Sequence, residues 1–295
     1  INMNKITALF FLILTTFFFK NTNAQINNYC EKCNNSNRVV SVGGSITEIL
    51  YFLGLEKNII GVDVTSNFPE EAKKISSVGY VRNISSEGIL SLEPSIILGE
   101  NDMGPIGTIK QLNESKVDFR LIEEVESTQG IIEKIQCIGN IMDHKEATEK
   151  IINEKIFEQA KELEDIKTKK ILANKKIMLV LSMQPSSIIV AGKNTSGDNF
   201  IKLMGGDNIF DSFEGWKSVS KETILKENPD FVLLPSKNLH KNSKVEDFSN
   251  DEMFLNTTAG KKNNFIFEDG MSMLGFGPRT IHCALKIARK INLEE

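Results

Sequence analysis

The sequence is short of the residues that build metal centres, bind nucleic acid or cross membranes. Only three of its 295 residues are histidine, and His144, His240 and His282 are far apart along the chain. A zinc or other divalent-metal centre needs several imidazole, thiolate or carboxylate ligands converging on one ion, so these histidines do not supply one. A basic excess is also missing: Lys and Arg number 35 against 39 Asp and Glu, a formal charge of -4, with the lysines scattered. Sequence-independent binding to phosphate backbones depends on that excess, so nucleic acid is excluded as an expected partner. Neither a G-x-S-x-G elbow, a phosphate-cradling G-x-x-x-x-G-K-[ST] loop, a G-x-G-x-x-G fingerprint nor a clustered His/carboxylate pair occurs, and no enzyme is expected. After residue 19 no apolar run is long enough for a hydrocarbon core of ~30 Å.

What is present begins with a leader. Lys5 precedes an apolar run, Ile6 to Phe19, followed by polar Lys20 to Ala24. That layout is a signal peptide, with small Thr22 and Ala24 suited to the peptidase and cleavage after Ala24. Met3 is the expected start, and the product is expected to be periplasmic or otherwise exported. Four cysteines follow the leader. Cys30 and Cys33 form a C-x-x-C ahead of the first strand, where an oxidising compartment favours a local disulfide or idle thiols over redox catalysis. Cys137 and Cys283 sit in apolar helical patterns and read as small core residues.

From Arg38 onward strands and helices alternate. Val39-Val40-Ser41-Val42 ends at Gly43-Gly44, and a helix follows that Ser45 is expected to cap, with Glu48 as capping-box partner. Ile59 to Val62, Ile96 to Leu98 and Phe119 to Ile122 read as further strands, with helices over Ser85 to Leu92 and Ile131 to Met142. His144 to Lys170 lacks Gly and Pro and reads as one long helix; a helix of ~22 residues within it would span ~33 Å. The same grammar then restarts: strand Ile177 to Leu181, helix Thr195 to Met204, helix Ser220 to Lys226, strand Phe231 to Leu234, strand Asn264 to Phe267 and a terminal helix from Pro278 to Ile291. The fold class is therefore α/β, with two Rossmann-like lobes of largely parallel sheet joined by a single long α-helix. The expected organisation is a signal peptide over 1–24, a segment over 25–37, a first lobe over 38–142, a linking helix over 143–170 and a second lobe over 171–295.

Two stretches are specific enough to suggest a family: Val78-Gly79-Tyr80-Val81-Arg82-Asn83-Ile84-Ser85-Ser86-Glu87-Gly88 and Leu274-Gly275-Phe276-Gly277-Pro278-Arg279. With Ser41 to Glu48 and Val190-Ala191-Gly192, they make the chain from Arg38 to Asn292 resemble the bilobal binding proteins of ABC importers for cobalamin, siderophores and haem. The resemblance is closest to the haemin-binding branch. It implies capture of haem b between the lobes, with Tyr80 as axial iron ligand, and delivery by a monomer that meets the membrane only through a permease. Coordination chemistry agrees, since ferric iron is a hard cation suited to a phenolate ligand. A phenol ionises near pH ~10, so ligation needs a neighbouring donor. Arg82, two residues on in extended backbone, would project to the same side as Tyr80.

Some relatives add a histidine from the loop after the second lobe's first strand; here that loop reads Ser182-Met183-Gln184-Pro185, leaving Met183 as a weak sixth ligand or a porphyrin wall. Lys193, Thr195 and Arg279 are candidate donors to the propionates, and Met273 and Phe276 candidate walls. By resemblance, Glu87 and Glu222 at helix starts occupy the places of acids that pair with permease arginines. Cobalamin or a ferric siderophore on the same fold is the alternative ligand, although siderophore cages call for more basic side chains than the haem reading requires.

Overall fold

β-branched and aliphatic residues dominate the strands of the first half, and their alternation sorts two packed faces. The structure, a computed structural model, describes residues 28–184, 187–236 and 251–293. The expected leader and His240 lie outside the described residues. In chain order the first elements are β1 (Val39–Val42), α1 (Gly44–Phe52), β2 (Ile59–Val62), β3 (Gly79–Tyr80), β4 (Asn83–Ile84), α2 (Ser86–Leu90), β5 (Ile96–Glu100), α3 (Ile106–Glu114), β6 (Asp118–Ile122) and α4 (Thr128–Ile141). Four strands in the order β2-β1-β5-β6 form a wholly parallel sheet. Val39, Ile96 and Leu98 face a core shared with α1 and α4, whereas Val40, Val42 and Ile97 face Ile89, Ile109 and Leu112 of α2 and α3. Both faces being covered explains why these strands are nearly continuous apolar runs.

The expected linking helix is two segments, α5 (Lys145–Lys155) and α6 (Phe157–Thr168). Helical dihedrals lapse at Ile156 (φ -120°, ψ -40°), whose side chain is buried in the core, while hydrogen bonds from Ile156 N to Ile152 O and from Ala160 N to Ile156 O carry the run across the break.

Beyond it come β7 (Lys176–Gln184), β8 (Ser187–Ala191), α7 (Ser196–Leu203), β9 (Asp207–Asn208), β10 (Trp216–Val219), α8 (Lys221–Glu227), β11 (Phe231–Ser236), α9 (Glu252–Leu255), α10 (Thr258–Lys261), β12 (Phe265–Asp269), α11 (Gly270–Leu274) and α12 (Pro278–Leu293). The second sheet runs β10-β8-β7-β11-β12, with β9 beside β7. β7, β11 and β12 are parallel, but β8 and β10 run antiparallel to their neighbours. β7 extends through Met183 and Gln184, which the sequence reading placed in a loop, and only two residues then separate it from β8. So short a connection returns a chain only antiparallel to itself.

Cys30 pairs with Cys137 of α4, not with Cys33. The Cα atoms of the pair lie 4.9 Å apart, a spacing a disulfide accommodates, and Cys33 is a buried free thiol. Two further expectations are revised at α1. The helix starts at Gly44 behind Gly43, whose φ of +131° suits glycine, and Ser45 lies inside it without capping. Glu48 does not return to the helix start, because its carboxylate is taken by Arg279 at the head of α12.

Candidate functional site

A cleft of about 710 Å³ lies between the two lobes. Its first-lobe wall comes from the β3–β4 turn (Tyr80, Val81, Arg82), the end of β5 (Glu100, Asn101, Asp102) and the segment after β6 (Glu124, Glu126). From the second lobe come Leu181, the Asn194-Thr195-Ser196 entry to α7, Gly215-Trp216, and Met271, Leu274 and Gly275 around α11. Glu100, Glu124 and their neighbours follow the carboxyl ends of parallel strands, where open α/β sheets bind ligands.

Tyr80 is 42% exposed. Its hydroxyl oxygen accepts a hydrogen bond from Arg82 Nη1 at 2.9 Å, and Arg82 Nη2 donates to Asp102 Oδ2 at 2.6 Å. Partial burial pulls the Arg82 pKa down, but the Asp102 carboxylate and the Tyr80 hydroxyl outweigh it and hold the guanidinium more firmly protonated than usual. The pairing arises differently from the expectation. Tyr80 and Asn83 are cross-strand partners, and Val81-Arg82 form the turn between them. The turn brings Arg82 back over Tyr80; an extended strand would only have set them on one side.

The same cleft has an acidic floor. Glu100 Oε1 accepts from Ser45 N at 3.2 Å and from Ser45 Oγ at 2.5 Å. Burial, reinforced by the nearby Glu124 charge and opposed by Lys134, pushes the Glu100 carboxyl up to about 7. Lys134 of α4 is itself buried, donating to Glu124 Oε2 at 2.7 Å and to Ser45 Oγ at 3.0 Å. Glu126 is also pushed up by burial, against the hydrogen bond it accepts from Asn199 of α7. That bond joins the two lobes directly.

Of the residues singled out in the sequence, Tyr80, Arg82 and Thr195 line the cleft. The Thr195 hydroxyl is already committed as the α7 cap, accepting from Asp198 N at 3.1 Å and donating to Gly192 O at 2.8 Å. Lys193 is exposed, and its backbone pairs with Phe213 and Gly215. Met183 packs against the second sheet's core, not among the residues that line the cleft. Met273 and Phe276 are fully buried in the core and offer no wall surface. Arg279 is committed elsewhere: Nε donates to Glu48 Oε2 at 2.9 Å, Nη1 lies 3.1 Å from Asp269 Oδ1, and the guanidinium stacks 3.6 Å from the Phe68 ring centroid. It ties the lobes together and is not free to meet a propionate. His144 Nδ1 sits 3.1 Å from Met142 O and His282 Nδ1 3.1 Å from Gln159, both away from the cleft.

Sequence reasoning missed Glu100, Asp102, Glu124, Glu126 and Trp216. The first four could have been found by marking polar residues at or just beyond the carboxyl ends of β5 and β6; no comparable signal marks Trp216. Glu87 and Glu222 are exposed in the first turns of α2 and α8, which Ser85 and Ser220 cap. Glu222 is held below the usual carboxylate range by its own backbone N–H and the Ser220 hydroxyl. Beside Glu87 opens a surface depression lined by Ser85, Ser86, Leu90, Ser91 and Gln111.

The family model described as "Periplasmic binding protein" matches residues 39–270. The chain is 28% identical over 201 residues to the uncharacterized ABC transporter substrate-binding lipoprotein YvrC of Bacillus subtilis, covering 66% of this chain and 62% of that protein. It is 26% identical over 201 residues to a vitamin B12-binding protein of Pectobacterium atrosepticum, covering 67% of this chain and 71% of that one. The first of these matches thus spans less than two thirds of the relative's length. Among solved structures, the periplasmic heme-binding protein HutB of Vibrio cholerae superimposes with a TM-score of 0.73 at 29% identity, covering 88% of this chain and 98% of that one.

Proposed function

Because the chain belongs to the periplasmic binding protein family, whose members are solute-binding proteins and not enzymes, we propose that it captures haem between its lobes and delivers it to an ABC importer. The observation that carries the haem reading is the Tyr80–Arg82 pair at the cleft. When ferric haem enters, the Tyr80 oxygen supplies an anionic axial ligand, and the Arg82 N–H already aimed at that oxygen stabilises the charge left by the departing proton. Asp102 fixes the guanidinium by its other nitrogen, so the donor needs little reorganisation. Val81, Leu181, Trp216, Met271 and Leu274 give the porphyrin disc apolar and aromatic contact, and the cleft volume suits a cofactor-sized ligand. Tyr80 is the single iron ligand in this reading. The heme-binding name of the HutB structure supports it.

Glu87 and Glu222 are the marks by which a permease orients the protein, one on each lobe. Their exposure keeps their stability contribution small and leaves them available for steering. Residues 1–24 direct export, and the protein works as a monomer that reaches the membrane through the permease.

A corrinoid is the second reading. It is favoured by the vitamin B12-binding relatives and by the acid-rich floor, which suits the amide fringe of a corrin. Titration with haemin and with cobalamin, followed by absorbance, separates the two. Haemin should give a phenolate-to-iron charge-transfer band that Tyr80→Phe abolishes. An unchanged spectrum in that variant overturns the ligand assignment, and binding of cobalamin alone moves the protein to the second reading.

A further inference from the structure

Four acids line the cleft: Glu100, Asp102, Glu124 and Glu126. Arg82 donates to Asp102 at 2.6 Å, Lys134 to Glu124 at 2.7 Å, and Asn199 of the other lobe to Glu126. Glu100 has neither a cation nor a cross-lobe donor among the described residues; it is held by Ser45, whose N–H and hydroxyl both donate to Oε1. Its surroundings are fixed on every protein side. Backbone closes it off at Gly43, where an added Cβ would come within 2.6 Å of the Glu100 Cδ, Cγ and Oε1. Behind Gly43, Asp63 is taken up by Gly43 N, Thr65 and Ser66. Lys134 of α4 stands one hydroxyl away, donating to Ser45 Oγ at 3.0 Å, while Glu124 and Asp102 add like charge. Every residue that the second lobe contributes to the cleft is uncharged.

Glu100 is half-buried and lines the cleft, so the water it retains is cleft water. A macrocycle in the cleft displaces that water. An ionised carboxylate with no cation of its own, covered by hydrocarbon and set beside two other acids, neutralises sooner than it stays charged. Burial and Glu124 already push the Glu100 carboxyl up to about 7 against the pull of Lys134 and Ser45, and covering it acts in the same direction.

We propose that the cleft binds a proton together with its tetrapyrrole, and that Glu100 is the residue that takes it. This rests on the tetrapyrrole reading above and adds a linkage to it. Because covering the carboxyl favours its neutral form, affinity is full where Glu100 is already protonated and falls as pH rises beyond that, by up to about tenfold per pH unit. An acidic medium then loads the protein and an alkaline one unloads it.

The cleft carries its own probe, because Trp216, the only tryptophan of the chain, lines it. Quenching of its fluorescence reports a bound tetrapyrrole whether or not iron is ligated. The full chain and its Glu100→Gln variant are titrated with haemin and with cobalamin between about pH 6 and 9. Ionisations of the ligand and of Tyr80 are common to both proteins, so the difference between their profiles isolates Glu100. Between about pH 6 and 8.5 the unmodified protein should lose about tenfold more affinity than Glu100→Gln, whose amide stands for the neutral acid at every pH. Ser45→Ala keeps Glu100 but removes the hydroxyl that stabilises its charged form, so there the loss should begin at higher pH. Parallel profiles in the unmodified protein and Glu100→Gln overturn the proposal. So does a loss that Ser45→Ala leaves at the same pH, and this second variant decides the matter if the first does not fold. Quenching with parallel profiles leaves the tetrapyrrole reading standing and removes only the linkage. Quenching by haemin without a phenolate band removes Tyr80 as iron ligand and leaves the linkage to be read from the same profiles. Absence of quenching by both ligands removes the tetrapyrrole reading and this proposal with it.

Discussion

Glu100 shows how one residue answers to two demands. Its carboxylate lines a ligand cleft, yet it is buried deeply enough for its pKa to rise from 4.5 to about 7. Between those values the folded protein holds a proton that the unfolded chain has released, so stability from this group is complete below about 4.5 and is lost as pH rises through about 7. The melting temperature should therefore fall between about pH 5 and 8 more steeply in the unmodified protein than in Glu100→Gln, where the group no longer titrates. Parallel pH profiles in the two proteins would refute this. Gly43 is part of the same arrangement, since a side chain there would run into the Glu100 carboxyl.

At the scale of elements, the clearest lesson comes from α1 and α12, which meet through Glu48 and Arg279. The pair is largely buried, and burial pushes the Glu48 carboxyl up against the opposing pull of Arg279. Arg279→Met leaves that carboxylate buried without its cation and should cost about 3–5 kcal/mol in urea unfolding, whereas adding Glu48→Met should recover most of the loss. A cost under about 1 kcal/mol for the single change would show that the Glu48 carboxyl does not depend on the arginine for its burial. The sequence reading gave Glu48 to a capping box because Ser45 stands three residues before it; the partner that prevails is 231 residues away. The elements themselves were legible because apolar runs bounded by Gly, Pro and Ser report local burial. Tyr80 and Arg82 were legible as a pair, but the turn that joins them was not. The acidic floor was hidden for the same reason as the Glu48 partner: Glu100 ends β5 whereas Glu124 and Glu126 follow β6, and only the folded sheet brings them to one cleft.

The two sheets are not independent bodies hung on a rod. One apolar cluster runs from Val39 and Ile96 through α4 and α6 to Ile177, Leu233 and the inner face of α12. The terminal helix is tied to α6 by the Arg289–Glu162 ion pair and packs on α1 and α4 as well, so the last element of the chain closes over the first lobe. Such a molecule resists bending at its centre, and its lobes touch again across the cleft through Glu126 and Asn199. The bond from Cys30 to Cys137 adds a constraint of another kind. Its two ends are 107 positions apart, and every strand of the first sheet lies between them. That half of the protein is consequently a covalent ring. A protease that cuts once within it opens the ring without dividing the molecule, so the nicked product should migrate as a single intact band in denaturing electrophoresis and split in two only after a thiol reductant is added.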